Sequence, residues 1–393
     1  MLSSELSKVI DETIERERSA LTKLAFDIHA NPELRFQEHK AAGWIAELLR
    51  ARGLEVEHGL AGMPTALRSR KGNGGPKVAI LGEYDALPEI GHACGHNLIA
   101  ASAVGAYLAA AAVAAQTNGE VVFLGTPAEE GGGGKVKMIE SGVFEELDAA
   151  MMFHPFDRDI LAHPALASSW TSLRFKGAPA HAAAAPHDGR NAVQACMDTF
   201  RLIDGQRIRF KDGVRVHGII TDGGKAINII PELAAAEFSV RARDLEELKR
   251  VQAIVERCAK AAALASEVEV EVTSRLGYVD MRNNLTMARA FGAHLGAMGR
   301  DARETDDRVG AGSTDMGNVS HVVPSIHPYL AIVGEGEALC HQHQFAHAAA
   351  SERGVDTAIA AAKALAKTAV ELLVDADLRH AVRTEWEMSA PKR

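Results

Sequence analysis

The chain has 393 residues, 47% of them hydrophobic, enough to bury a sizeable core and to divide into two domains. Its 43 Lys and Arg against 52 Asp and Glu give a formal charge of -9, with no basic tail or cationic face, so nucleic-acid binding has no electrostatic support. Cys94, Cys196, Cys258 and Cys340 are widely spaced and form no CxxC pair, which argues against a disulfide framework or a structural zinc knuckle and for a reducing cytoplasm.

The first 34 residues carry charge throughout and lack a basic segment followed by an apolar run, which argues against a secretory signal. The longest apolar stretch, near Val104 to Ala115, is short and alanine-rich for a bilayer span, so a soluble cytoplasmic protein without a membrane partner is expected. Next along the chain come apolar runs that end in metal-competent residues. Lys77 to Gly82 leads into Glu83 and Asp85, Glu120 to Gly125 into Glu129 and Glu130, and Ala149 to Phe153 into His154. Such unalternating runs read as buried parallel strands, and open α/β sheets place their sites beyond the carboxyl ends of strands. One sheet edge is therefore expected to gather these ligands, with Tyr329 to Val333 a fourth strand ahead of His341. Asn97 to Ala115 and Ser351 to Leu373 read as covering helices.

Between about residues 169 and 280 the pattern changes. Strands are predicted at Trp170 to Lys176, Val214 to Ile220, Leu233 to Arg243 and Val268 to Thr273, and helices at Gly189 to Asp204 and Leu245 to Ala265. The order βαββαβ is the ferredoxin-like split pattern. The expectation is an α/β catalytic domain with a mostly parallel sheet, residues 1–168 and 281–393, carrying an inserted domain at 169–280 with hinges near Ala167 and Asp280.

His92-Ala93-Cys94-Gly95-His96-Asn97, followed by Glu129 and Glu130, carries the chemistry. Taken alone, a Cys and a His two apart are more often a core thiol and a surface imidazole. With Asp85, Glu130, His154 and His341 there are enough N, O and S donors for one or two ions of the zinc or manganese type. Adjacent glutamates on extended backbone point in different directions, so one ligates and the other accepts a proton: Glu130 is taken as ligand and Glu129 as general base. The usual alternative is a solvated acidic turn. Gly131 to Lys135 is no phosphate loop, because Val136 stands where Ser or Thr is needed and two carboxylates precede it. No GxGxxG follows a predicted strand.

The segments GEYDALPEIGHACGHNLIAASAVGA, TPAEEGGGGK, GAPAHAAAAPHDGRNAV, GSTDMGNVSHVVPSIHPYLAI and ALCHQHQF occur in this order between Gly82 and Phe345. Together they resemble the metal-dependent aminoacylase, carboxypeptidase and amidohydrolase family, peptidase family M20, and within it the aminobenzoyl-glutamate hydrolase branch. The resemblance implies zinc or manganese, two ions per subunit, held by Cys94, His96, Glu130, His154 and His341, with Glu129 as base. It implies that His181 stabilises the oxyanion, often across a subunit boundary, and that Asn228 and Arg241 hold the substrate's carboxylate. It also implies a homodimer formed through the inserted lid domain. His341 is preferred to His343 for its spacing to Phe345. The chain departs from the common pattern at Asn97, where relatives commonly carry Asp but the aminobenzoyl-glutamate branch has Asn, and at Glu83-Tyr84-Asp85, where many carry His-x-Asp.

The expected function is hydrolysis of the amide bond of a small N-acyl amino acid or dipeptide. The metal polarises the carbonyl and activates water, Glu129 takes the water's proton and His181 meets the oxyanion. Two alternatives stand beside it: release of ammonia from an aryl amine on the same site, and a noncatalytic metal- or ligand-binding relative.

Overall fold

The computed structural model describes residues 2–306 and 311–390. In chain order the strands are β1 Glu57–His58, β2 Leu67–Gly72, β3 Lys77–Glu83, β4 Glu120–Thr126, β5 Ala149–Met151, β6 His154–Phe156, β7 Ala167–Lys176, β8 Arg215–Asp222, β9 Leu233–Ala242, β10 Glu269–Leu276, β11 Ser325–Ile326 and β12 Tyr329–Ala331. The helices are α1 Ser4–Ala30, α2 His39–Ala51, α3 His96–Val113, α4 Gly134–Glu140, α5 Ala192–Gln206, α6 Leu245–Ala265, α7 Leu285–Gly296, α8 Met316–Ser320, α9 His343–Ala348, α10 Glu352–Val374 and α11 Ala376–Met388. The chain divides into two compact units, one of Met1–Pro164, Met281–Ala311 and Asn318–Arg393, the other of Ala165–Asp280 and Gly312–Gly317.

The larger unit is built on a six-stranded sheet ordered β1-β2-β4-β3-β5-β11. The β4, β3, β5 and β11 pairings are parallel, and β1 and β2 join antiparallel at one edge. Val78 to Leu81 and Val121 to Leu124 are buried along their whole length, as apolar runs covered on both faces must be. Each large side chain so buried, Phe123 among them, contributes about 1.5–3 kcal/mol. Helix α3 is apolar all round because it runs through the core, packed by α1, α10 and β3. By length and composition it could cross a membrane, but 89% of its most apolar window is buried inside the protein. Gly105 permits that packing, since a Cβ there would lie 2.7 Å from Leu21 Cδ1.

The third predicted strand is shorter than expected: β5 ends at Met151. His154 instead opens β6, which pairs in parallel only with β12 in a separate two-stranded sheet, with His154 opposite Tyr329. The site is therefore not gathered on one sheet edge. The strands β3 and β4 deliver the carboxylates, and the second small sheet delivers the imidazole.

The smaller unit has a four-stranded antiparallel sheet ordered β10-β7-β9-β8, with α5 and α6 packed on it. Along β7 buried and exposed residues alternate from Ser169 onward, so Leu173 and Phe175 face the helices while Trp170 faces away. Helix α5 starts three residues later than predicted, at Ala192, because the Asn191 side chain caps it by accepting from Gln194 N at 3.1 Å. Asp244 caps α6 in the same way, accepting from Glu247 N at 2.7 Å. Ala167, near which a hinge is expected, opens β7 and is fully buried, two residues past the start of the smaller unit at Ala165. Residues Gly312–Gly317, expected with the larger unit, group with the smaller one, where Leu166 N donates to Gly312 O at 2.7 Å.

Candidate metal centre

The loop between β3 and α3 presents Cys94 and His96 because Gly95 sits between them in the left-handed region, at φ +74°. A Cβ at Gly95 would lie 2.8 Å from Pro155 Cγ, so no other residue fits without displacing the loop. His96 is the first residue of α3 and is buried. Its Nδ1 donates to the carbonyl oxygen of Asp85 at 2.9 Å and lies 3.1 Å from Asp85 Oδ1. In the neutral ring the lone pair is thereby fixed on Nε2, which is buried with no hydrogen-bond partner.

Glu129 and Glu130 lie in a turn after β4, not on extended backbone as expected. Gly131 N donates to Glu129 O at 2.7 Å and Gly132 N to Ala128 O at 3.1 Å. The turn brings both carboxylates to one place: carboxylate oxygens of Glu129 and Glu130 and a ring nitrogen of His96 all lie within 4.8 Å of one another. Asp85 serves both sides, since its Oδ2 also accepts from Glu130 N at 2.9 Å. It acts as a bracket for ligands, although the sequence offered it as a donor.

His154 Nδ1 donates to the Pro155 carbonyl at 2.7 Å, leaving Nε2 for the site. His341 enters from the loop before α9 at φ +69°, a strained conformation for a non-glycine residue, and its Nε2 lies 3.6 Å from Glu130 Oε1. Beside the group of His96, Glu129 and Glu130 stand two more, Cys94 with His96 and His154, and Cys94 with Glu130 and His341, each with ligand atoms within 4.8 Å of one another. These two share Cys94. All five ligands expected from sequence, and Glu129, are thus brought together within the larger unit.

The electrostatics of the cluster suit a cation. Burial opposes charge on His96, but its hydrogen bond to Asp85 and the charges of the Asp85, Glu83 and Glu130 carboxylates outweigh it and raise its proton affinity well above normal. Burial would also raise the Glu130 carboxyl, yet His341, His96 and Cys94 together hold it down to about 2. Desolvation and then the charge of His96 lower His154 to about 4. The Cys94 thiol is pushed up by its hydrogen bond with Cys340, by burial and by Glu130. Its thiolate is therefore favoured only where positive charge is added.

Two features escaped the sequence reading. Glu83 and Lys135 form a fully buried ion pair at 2.5 Å, and Glu83 Oε2, without a hydrogen-bond partner, lies 3.4 Å from His96 Nε2. Glu38, buried ahead of α2, accepts from Ala128 N at 2.9 Å, one residue before Glu129. Paired glutamates are ordinary in turns, but the single lysine among the glycines after them was the available signal for the ion pair.

The remaining expected residues lie on the smaller unit. His181 and Asn228 are neighbours there: His181 bridges Ile229, and Ala182 N donates to Asn228 O at 3.0 Å. His181 Nδ1 accepts from Ala183 N at 3.2 Å and Ala184 N at 3.1 Å, so its proton resides on Nε2. Arg241 does not join them. It stands opposite Arg215 near the far end of β9, eight residues past Leu233, about 27 Å at about 3.4 Å per residue.

The model of peptidase family M20/M25/M40 matches residues 79–369. Xaa-Arg dipeptidase of Mus musculus is 37% identical over 404 residues, covering 98% of this chain and 92% of that protein. A p-aminobenzoyl-glutamate hydrolase subunit of Escherichia coli is 30% identical over 465 residues, covering 98% and 95%. Among solved structures, a dinuclear metal binding peptidase from Bacillus subtilis superposes with a TM-score of 0.72 at 21% identity, over 91% of this chain and 99% of that one. The aminobenzoyl-glutamate utilization protein of Klebsiella pneumoniae gives 0.74 at 18% identity, over 93% and 99%.

Proposed function

The chain belongs to peptidase family M20/M25/M40, and from that membership we propose that it is a two-metal hydrolase cleaving the amide bond of a dipeptide or N-acyl amino acid. The observation that carries this reading is the pair of donor groups sharing Cys94, with the Glu129 carboxylate 4.0 Å from His96 Nε2. The fit to divalent ions rests on buried polar atoms that have no hydrogen-bond partner at the centre of the cluster, His96 Nε2, Glu83 Oε2 and Glu130 Oε1, together with a thiolate-imidazole-carboxylate donor set. Cys94, His96 and His154 would hold one ion, and Cys94, Glu130 and His341 the other, as zinc or manganese. When bound, such ions polarise the scissile carbonyl and make water acidic enough to lose a proton near neutral pH.

The chain's own groups supply the rest. Glu129 accepts the proton of the attacking water and returns it to the leaving amine. His181, whose proton is fixed on Nε2, is the donor to the oxyanion. Asn228, beside it, orients the substrate. The named substrates of the two curated relatives frame the class: an aminoacyl-arginine dipeptide or an aryl-glutamate amide. The smaller unit is read as a lid that pairs two subunits, supported by the edge strand β8, where Ile219 and Ile220 are 52% and 45% exposed. A cytoplasmic location completes the reading.

The deciding experiment is a substrate panel of aminoacyl-arginine dipeptides, p-aminobenzoyl-glutamate and other N-acyl amino acids, run with zinc- and manganese-loaded protein and read by product identification. Paired amine and carboxylate products support amide hydrolysis. Ammonia without a new carboxylate indicates deamination, and no turnover with both ions bound indicates a noncatalytic relative.

A further inference from the structure

The segment at residues 33–38 lies outside every ligand motif, yet it is tied to both loops that carry carboxylates into the site. Ala86 N, next to Asp85, donates to Glu33 O at 2.8 Å, and Leu34 forms a bridge with Ala86. On the other side the buried Glu38 carboxylate accepts from Ala128 N at 2.9 Å and Phe36 N at 2.8 Å through Oε1, and from Thr65 Oγ1 at 2.9 Å through Oε2. Both residues held by Oε1 are strained: Phe36 has φ +63° and Ala128 φ +60°. Neither is glycine, so each conformation is strained and persists only where its surroundings enforce it. A buried carboxylate is itself costly unless donors surround it, and here the donors are those two strained backbone groups and one hydroxyl.

We infer that Glu38 is a positioning residue for Glu129: by holding Ala128 in the left-handed region it sets the direction in which the next side chain leaves the backbone. The inference rests on the reading of Glu129 as general base. An ordinary turn at 128–132 satisfies its own backbone, with Gly132 N on Ala128 O, and leaves the Ala128 N–H for whatever lies behind it. A carboxylate reaching it from 90 residues away in sequence fixes the turn against the N-terminal segment. A displacement of the base by about 1 Å costs up to about 100-fold in rate, which sets the scale of the effect.

The test compares Glu38→Ala, Glu38→Gln and Glu129→Gln single variants and the Glu38→Ala/Glu129→Gln double variant in the full-length metal-loaded protein. The probe is the faster of an aminoacyl-arginine dipeptide and p-aminobenzoyl-glutamate. Glu38→Ala is expected to lower kcat by roughly 10- to 100-fold, to leave KM within about threefold and to keep the metal content of the parent. Glu38→Gln is expected to recover most of kcat, because the amide oxygen still accepts both N–H groups and its NH2 can donate to Thr65. In the Glu129→Gln background, removing Glu38 is expected to cost nothing more, since it acts through the residue already lost. An unchanged kcat in Glu38→Ala, loss of metal, or the same fold loss in both backgrounds overturns the inference. Near-normal turnover of the Glu129→Gln single variant overturns the underlying reading, so the two failures are distinguishable. Should Glu38→Ala fail to fold by circular dichroism, Glu38→Asp, which retracts the carboxylate by one methylene, undergoes the same comparisons with the same outcomes.

Discussion

Asp85 and His96 meet twice, through the Asp85 carbonyl at 2.9 Å and its carboxylate at 3.1 Å, both on the same imidazole nitrogen. The double contact fixes the ring's orientation and tautomer and directs Nε2 at the centre of the donor cluster. The other carboxylate oxygen of Asp85 holds the backbone of Glu130, so one side chain aligns a ligand for each proposed ion. Replacing Asp85 by Asn puts an amide group where two N–H donors need an acceptor. Metal affinity, measured by chelator competition, is expected to fall about 10- to 100-fold. Full affinity in Asp85→Asn would show that the bracket is dispensable.

Cys94 belongs to both donor groups, whereas His154 belongs to one. Cys94→Ala is therefore expected to lose both ions, and His154→Ala to keep one. Metal analysis after dialysis reads the difference directly, and equal stoichiometry in the two variants would contradict a shared thiolate.

Glu129 stands beside the ligands without being needed in either donor group that contains Cys94. Substituting Gln preserves its shape and removes its basicity. The expected outcome is a kcat lowered about 10²- to 10⁴-fold with both ions retained, measured by steady-state kinetics alongside metal analysis.

Gly95 is constrained from two directions, by a φ of +74° and by Pro155 Cγ at 2.8 Å from where a Cβ would sit. Gly95→Ala is expected to lower stability by about 1–3 kcal/mol and to weaken metal binding by displacing its neighbours Cys94 and His96. Denaturant melts of the metal-free protein isolate the first effect.

In the smaller unit, Arg250 donates to both oxygens of Glu247, at 2.8 and 2.6 Å, and Lys211 N adds a third hydrogen bond at 3.2 Å. The Arg250 hydrogen bond, chiefly, lowers the Glu247 carboxyl from 4.5 to about 2. A depressed carboxyl stabilises the fold above its unfolded value and loses that contribution as pH falls through the folded one. Glu247→Gln is thus expected to lower the melting temperature at pH 7 and to do so progressively less between about pH 4.5 and pH 2. A destabilisation that stays constant across that window would refute the assignment.

Local pattern was enough to find much of this protein. The unbroken apolar runs of β3 and β4, the alternation in β7 and the βαββαβ order are set by the few residues on either side of each position, so they can be read from sequence. So can donor chemistry: Cys94, His96, Glu130, His154 and His341 announce themselves by residue type and motif. What local pattern could not reveal was contact between residues far apart in the chain. The bracket by Asp85, the ion pair of Glu83 with Lys135 and the reach of Glu38 to Ala128 join positions 11, 52 and 90 residues apart. The departure of His154 onto a second small sheet and the place of Arg241 near the far end of β9 likewise follow from strand pairing. A periodicity encodes which face of an element is apolar, but it carries no record of which distant element closes over that face. Residue order therefore specifies the chemical groups and the elements that carry them, whereas the packing of distant elements selects which lone pairs converge and which side chains hold them in place.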